Sequence, residues 1–305
     1  MDVTRRTVLH GLGAATALLG ASGRVWARQT LTLGERTVET LSDGFMRLPG
    51  NLVFEGLPKD ELAAILADHG NASPDGVEQP CTLTLLRDAE RTVLFDVGAG
   101  PNFMATTGRL AEALDAIDLD PGDVTHVVFT HAHPDHLWGV LDEFDDPLFP
   151  EAAYLIDETE HAYWTDPGTV NTIGELRQAF AAGAARYLAA IEDSLTLFRP
   201  DQEILPGVLA RSTPGHTPGH TSFHIDGGSQ SVMVLGDAIA NAHVAFERPD
   251  WEFAMDQDPP RAAAARVALL DQMASERMRL IGFHLPQGGV GFAQKAGSGY
   301  RFVAG

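Results

Sequence analysis

The chain is poor in cysteine and in basic residues. Cys81 is the single cysteine among 305 residues, which excludes an intramolecular disulfide. It stands beside Thr82, Leu83 and Leu85, with no histidine close in sequence, and reads as a small buried apolar residue. Lys and Arg total 21 against 42 Asp and Glu, a formal net charge of −21. Such a chain repels nucleic acid and anionic membranes, which argues against nuclease chemistry. The chain carries no G-x-S-x-G serine motif, no internal repeat and no low-complexity tract.

What is present is enough for a packed domain. Hydrophobic residues make up 44% of the sequence, ordinary for a folded chain. At the N-terminus, Thr4-Arg5-Arg6-Thr7-Val8-Leu9 places two arginines before a weakly hydrophobic run at 11–21, and Val25-Trp26-Ala27 follows. Charge, apolar run and small residues in that order resemble a twin-arginine export signal. The run is too short and too rich in Gly and Ala to span a bilayer. Residues 1–27 are therefore expected to be an export signal, and residues 28–305 a single periplasmic or secreted domain without a membrane span.

Within that domain, short β-rich runs are predicted at residues 31–33, 38–46 and 52–54. A helix is predicted over 60–68, opened by Pro58 and stopped by Gly70. Apolar runs at 82–86 and 92–95 predict paired strands, the second ending in Asp96-Val97-Gly98-Ala99-Gly100. A helix is expected over 104–117 and a buried strand over 126–130. Later come a strand at 153–156, a helix over 173–191, strands at 195–198, 207–211, 222–225 and 231–235, and a helix over 259–275. A strand at 278–281 and a β-rich tail at 300–303 close the chain. The alternation predicts an α/β (α+β) fold, a four-layer αββα sandwich of two mixed β-sheets flanked by helices.

The strongest signal is His131-Ala132-His133-Pro134-Asp135-His136, which follows a hydrophobic strand. Three imidazoles and a carboxylate within six residues are not expected of an ordinary polar loop. Imidazole suits Zn²⁺ and related divalent ions, and carboxylate completes a harder site. His131 and His133 can reach one ion, while Asp135 and His136 turn to a second. Further candidates stand at the ends of later strands: Thr213-Pro214-Gly215-His216-Thr217-Pro218-Gly219-His220, Leu235-Gly236-Asp237 and Phe283-His284.

These residues resemble the metallo-β-lactamase superfamily, with its H-x-H-x-D-H run followed by a distant His, Asp and His. The resemblance implies that His131, His133 and His220 hold a first metal, that Asp135, His136 and His284 hold a second, and that Asp237 bridges them. It prefers His220 to His216, which is expected to shape the turn. It also implies two divalent ions, Zn²⁺ first, with Mn²⁺, Fe²⁺ and Co²⁺ as further candidates. Over the mature chain, Leu41-Ser42-Asp43-Gly44, the two histidine-rich runs, Leu235-Gly236-Asp237 and Gly299-Tyr300-Arg301-Phe302-Val303 are similar to the methyl parathion hydrolase-like branch. That branch consists of exported dinuclear hydrolases of phosphotriesters, aryl esters or lactones. Asp96 matches a family Asp beneath the metal loop, where it either orients a ligand or forms a strand-end turn.

The expected chemistry is hydrolysis of a small ester-like substrate. A metal-bridging hydroxide attacks a carbonyl carbon or a phosphorus, and one ion polarises the substrate oxygen. Asp135 is expected to orient the hydroxide and pass a proton to the leaving group. Phe246, Trp251 and Phe253 could wall an apolar leaving group or pack against outer helices. His161 and His243 show no partner in sequence and are left outside the site. The alternatives are a β-lactamase, then a thioesterase, and, from a different class, a non-catalytic metal- or ligand-binding member. Homodimer formation is left open.

Overall fold

A computed structural model describes residues 28–69 and 76–305. The expected export signal at residues 1–27 lies outside the described residues. One seven-stranded sheet runs β1 (Thr30–Leu33), β2 (Arg36–Leu48), β3 (Val77–Arg87), β4 (Thr92–Phe95), β5 (His126–Val128), β6 (Ala153–Asp157), β7 (Leu195–Phe198), in that spatial order. The other is built from β8 (Glu203–Leu205), β9 (Val208–Ser212), β10 (Thr221–Asp226), β11 (Ser231–Val234), β12 (Arg279–Ile281), β13 (Val290–Ala296) and β14 (Gly299–Ala304), in the order β14-β13-β12-β11-β10-β9-β8. Both sheets are mixed. The first turns from antiparallel to parallel at β4, and the second holds one parallel pair, β11 with β12.

Helices α1 (Gly50–Val53), α2 (Lys59–Asp68), α3 (Leu110–Asp115), α4 (Pro134–Leu137), α5 (Glu158–Thr165), α6 (Thr169–Thr172), α7 (Gln178–Ala190), α8 (Val244–Glu247) and α9 (Pro259–Glu276) complete the fold. The strand period of two explains the layering. Leu86 and Phe95 face the second sheet and pack with Phe223, Val232 and Ile281. Their neighbours Leu85 and Leu94 face the other way, toward Leu114 of α3 and Leu188 of α7. On the far side, Met233 and Leu280 meet Leu270 and Met273 of α9. Helix, sheet, sheet, helix is the expected αββα sandwich. Among the described residues no helix is long and apolar enough to cross a membrane.

Three expected elements change. Residues 52–54 do not form a strand: Leu52 and Val53 donate their amides to the carbonyl of Pro49, opening α1. The helix expected over 104–117 shrinks to α3. Gly108 takes φ +75°, and the Asp43 carboxylate accepts the amides of Gly108 and Leu110 in place of helical carbonyls. The helix expected from 173 begins at Gln178, after Gly174 at φ +93°.

The fold places the ends of β4, β5, β9, β11 and β12 along one edge of the sandwich. Two backbone bonds link elements of the two sheets there: Thr221 N–H to Thr130 C=O, and Thr82 N–H to Phe283 C=O, both at 2.9 Å. The loops carrying the candidate ligands are thereby held to one another.

Candidate metal centre

The strand His126–Val128 delivers Thr130 and His131, and Pro134 at the first turn of α4 lifts Asp135 and His136 back over the strand end. Asp237 follows β11, His284 follows β12, and His216 follows β9. All of these side chains are buried.

Hydrogen-bond partners fix the tautomers. The Nδ1 of His284 lies 2.7 Å from the carbonyl of Pro80, which can only accept, so Nδ1 carries the proton. The Nδ1 of His136 donates to Asp96 Oδ2 at 2.8 Å. In both rings Nε2 is left facing carboxylates. His136 Nε2 is 3.2 Å from Asp237 Oδ1 and 3.4 Å from Asp135 Oδ2; His284 Nε2 is 3.2 Å from Asp237 Oδ2 and 3.4 Å from Asp135 Oδ2. His136 Nε2, Asp135 Oδ2 and Asp237 Oδ1 are buried with no hydrogen-bond partner among the described residues.

In the second cluster the acceptors outnumber the protons. Thr130 gives its hydroxyl hydrogen to Asp96 Oδ2 at 2.8 Å, so its oxygen accepts from His131 Nδ1 at 3.0 Å. His216 Nδ1 donates to Asp256 Oδ1 at 2.9 Å. The Nε2 atoms of His131 and His216 therefore present lone pairs, and both point at His133 Nδ1, at 3.0 and 2.9 Å. One proton on that nitrogen serves at most one of the two. Asp237 Oδ2 lies 3.3 Å from His216 Nε2 and 4.0 Å from His131 Nε2. Three groups thus converge: His131, His133, His216 and Asp237; His136, Asp237 and His284; and Cys81, Asp135 and His284, which brings the buried Cys81, read from sequence as an apolar residue, up to the cluster. Asp135 joins the second through its contacts with His136 and His284.

The electrostatics divide the same way. Burial holds His131 and His133 well below the ordinary histidine pKa, and neighbouring imidazoles add to it. Burial also opposes charge on His136, but the carboxylates of Asp237, Asp135 and Asp96 outweigh it and hold its pKa well above the ordinary value. His284 is raised, against burial, chiefly by Asp237. Burial resists ionisation of Asp237 too, yet His284 and His136 keep its carboxyl well below the usual range.

The structure reverses one expected placement. His220 does not reach the cluster as a donor: its Nε2 accepts the backbone N–H of Asp237 at 2.9 Å, and its Nδ1 bonds the Thr213 hydroxyl at 2.8 Å. Both ring nitrogens are engaged. Burial, reinforced by His216, pushes its pKa down to about 3, so the ring is neutral. His216, not His220, converges with His131, His133 and Asp237, and His220 holds the Asp237 amide. The reason is local backbone: Thr213 N–H bonds the His220 carbonyl, turning the motif so that its first histidine faces inward.

Asp96 adopts φ +60° and accepts both the amide and the hydroxyl of Thr130 while holding His136. Burial raises its pKa, against the pull of His136. Of the three aromatics expected as a wall, Phe253 lines the cavity above the cluster, whereas Phe246 packs on Phe302 and Trp251 lies under Arg248. His243 stacks on His69, with ring centroids 4.0 Å apart.

Two supporting carboxylates carry no motif that sequence reading could use. Asp256 receives His216 on one oxygen and Arg266 on the other, the latter at 2.8 Å. Glu160, fully buried, accepts Ala132 N–H at 3.0 Å, Trp164 Nε1–H at 2.6 Å, the Thr217 hydroxyl at 2.8 Å and Gly219 N–H at 2.9 Å. It ties the 131–136 loop to the 213–220 loop. Burial raises its pKa and the four donors oppose that shift. A Cβ on Gly219 would stand 2.2 Å from the Glu160 nitrogen, so only glycine allows this approach.

The comparisons agree with this geometry. The metallo-β-lactamase superfamily profile matches residues 76–284. Metallo-β-lactamase domain-containing protein 1 of Xenopus laevis is 30% identical over 186 residues, covering 59% of this chain and 61% of that protein. The Homo sapiens protein of the same name is 27% identical over 250 residues, 70% of this chain and 78% of that one. The match thus spans about three-fifths of the frog protein's length. Among solved structures, AidC, a dizinc quorum-quenching lactonase in complex with a product, superposes with a TM-score of 0.86 at 27% identity, covering 92% of this chain and 98% of that one. The hydrolase AbOPH shares the fold with a TM-score of 0.85 at 24% identity, over 92% and 98% of the two chains. Profile match, sandwich topology and histidine–aspartate cluster lead to one conclusion: the chain belongs to the metallo-β-lactamase superfamily.

Proposed function

We propose that the chain is a metal-dependent hydrolase of small, largely apolar substrates with an ester-like bond: a lactone, a carboxylic ester or a phosphotriester. The observation that carries this reading is a cavity of about 280 Å³ directly over the cluster. Its floor includes His133, Asp135, His216, Asp237 and His284, and its walls include Met46, Leu48, Phe103, Met104, Phe180 and Phe253. Apolar side chains beside the polar cluster, with Arg177 and Asn241 also in the lining, suit an acyl chain or aryl group whose reactive bond rests on the cluster. The similarity to a dizinc lactonase supports the same class.

The donor set fits two divalent ions, zinc first. His131, His133 and His216 would hold one, and Asp135, His136 and His284 the other, with Asp237 serving both. The fit rests on two lone pairs that converge on one nitrogen and on buried carboxylate and imidazole atoms without partners. When bound, such ions supply an acidified water and a Lewis acid for the substrate oxygen. Asp135 Oδ2, at the cavity floor, would accept a proton and return it to the leaving group. Asp96, Asp256 and the Pro80 carbonyl hold three imidazoles in the ligating tautomer. The apolar walls exclude bulk water from the reacting bond. On Thr4-Arg5-Arg6 and the run after it, we further place the mature chain outside the cytoplasm, which cell fractionation tests.

The deciding experiment is a hydrolysis screen of zinc-, manganese- and cobalt-loaded protein against acyl lactones, aryl esters, paraoxon-type triesters and nitrocefin, with His133→Ala as control. Turnover of one of the first three classes, lost in the control, is expected. Turnover of nitrocefin alone would replace this reading with a β-lactamase. A folded protein that binds no metal and hydrolyses nothing would replace it with a binding function.

A further inference from the structure

The chamber over the cluster shares a wall with a second cavity of about 550 Å³. That cavity lies among the apolar Phe54, Leu66 and Pro286 and the polar Arg47, Glu78 and His243. The two have Gln79, Ala240, Asn241 and His284 in common. Gln79 stands on β3 opposite Met46 of β2, which lines the chamber. Its buried amide donates Nε2–H to the carbonyl of Ala240 at 3.1 Å, joining the first sheet to the loop after β11.

That loop is fixed independently. Asn241 Oδ1 accepts the amides of His243 and Val244 at 2.9 and 2.8 Å, at the start of α8. The contribution of β3 to the wall is therefore one side chain reaching a backbone that stays where it is. The neighbouring hold on His284 comes from the carbonyl of Pro80, a main-chain group that a change of side chain at position 79 leaves in place.

We infer that Gln79 is a specificity-determining residue that limits the length of the apolar portion of the substrate. Its amide closes the chamber against the second cavity. A shorter side chain joins the two, and a chain too long for the first extends into the second. The inference rests on the hydrolase reading only for its choice of substrate; the wall itself can be measured by binding.

The test compares metal-loaded wild type, Gln79→Ala and Gln79→Leu by calorimetry with hexanoate and decanoate, straight-chain carboxylates of the kind that ester cleavage releases. Hydrolysis of the matching aryl esters is followed in parallel. Each methylene newly removed from water strengthens binding by about fourfold. In Gln79→Ala the decanoate-to-hexanoate affinity ratio should rise by about tenfold or more, while Gln79→Leu, which keeps the bulk, should keep the wild-type ratio. Adding Leu66→Trp to Gln79→Ala narrows the second cavity and should lower the ratio toward the wild-type value. Gln79→Ser provides a second shortened variant should the alanine variant fold poorly. An unchanged ratio in the folded shortened variants overturns the inference, as does a rise of equal size in Gln79→Leu. A shifted binding ratio with no ester hydrolysed in any protein supports the wall and overturns the hydrolase reading.

Discussion

His220 accepts the backbone N–H of Asp237 on Nε2 at 2.9 Å, and so sets the position of a carboxylate that reaches both histidine groups. His216, four residues earlier, presents its Nε2 to the cluster instead. The two histidines should therefore separate in their effects. His216→Ala should lose one equivalent of bound metal, read by elemental analysis, and nearly all turnover. His220→Ala should retain both equivalents with metal affinity weakened by about 10- to 100-fold, as for groups that orient a ligand. Loss of metal from His220→Ala alone would restore the ligand order expected from the motif.

Asp256 bridges His216 and Arg266, all three buried. Arg266 also donates to the carbonyls of Pro249 and Trp251, at 3.1 and 2.9 Å. Asp256→Asn removes the charge partner of a buried guanidinium, which destabilises by about 3–5 kcal/mol in comparable pairs. It also frees the tautomer of His216. Thermal unfolding with and without zinc should show lower stability in both states, and chelator competition should show weaker metal binding. Unchanged chelator competition would confine Asp256 to a structural role.

Glu160 offers acceptors to four donors, and Glu160→Gln replaces one carboxylate oxygen with an amide that donates. Two of the four donors then face another donor. A buried unsatisfied donor costs about 1–3 kcal/mol, so urea unfolding should show a loss in that range or above it. Because the clamp joins the two ligand loops, the visible spectrum of the cobalt-loaded variant should also change. A stability loss with an unaltered spectrum would mean that the loops keep their places without it.

Asp43 should give the fold a pH dependence. Burial pushes its carboxyl up to about 6, although the amides of Ala99, Gly108 and Leu110 pull the other way. The folded chain then binds a proton that the unfolded chain releases near pH 4. This contribution is present below about pH 4 and is lost as pH rises to about 6. The stability difference between wild type and Asp43→Asn, from urea unfolding between pH 4.5 and 7.5, should therefore narrow with rising pH or change sign. A difference independent of pH would show that Asp43 does not titrate there.

Most of the side chains that converge at the candidate site were legible because metal chemistry is written in residue type and short spacing. His131, His133, Asp135 and His136 fall within six residues, and no arrangement of β5 and α4 could separate them far. The short apolar runs of β3, β4 and β11 and the alternation of β10 likewise carry the two-sheet sandwich, because a strand's two faces bury different neighbours. Other features were decided only when distant segments met. Whether His216 or His220 faces the metal centre depends on which ring nitrogen the Asp237 amide occupies, a contact across 17 residues. Glu160 and Asp256 look like any other carboxylates in an acidic chain, and what ties them to the site is donors 28 to 59 residues away. The wall at Gln79 needs a carbonyl 161 residues further on. A sequence determines which side chains can bind, and local spacing determines which of them act together. Which lone pairs remain unspent for a metal is settled by hydrogen bonds that form only when the two sheets close.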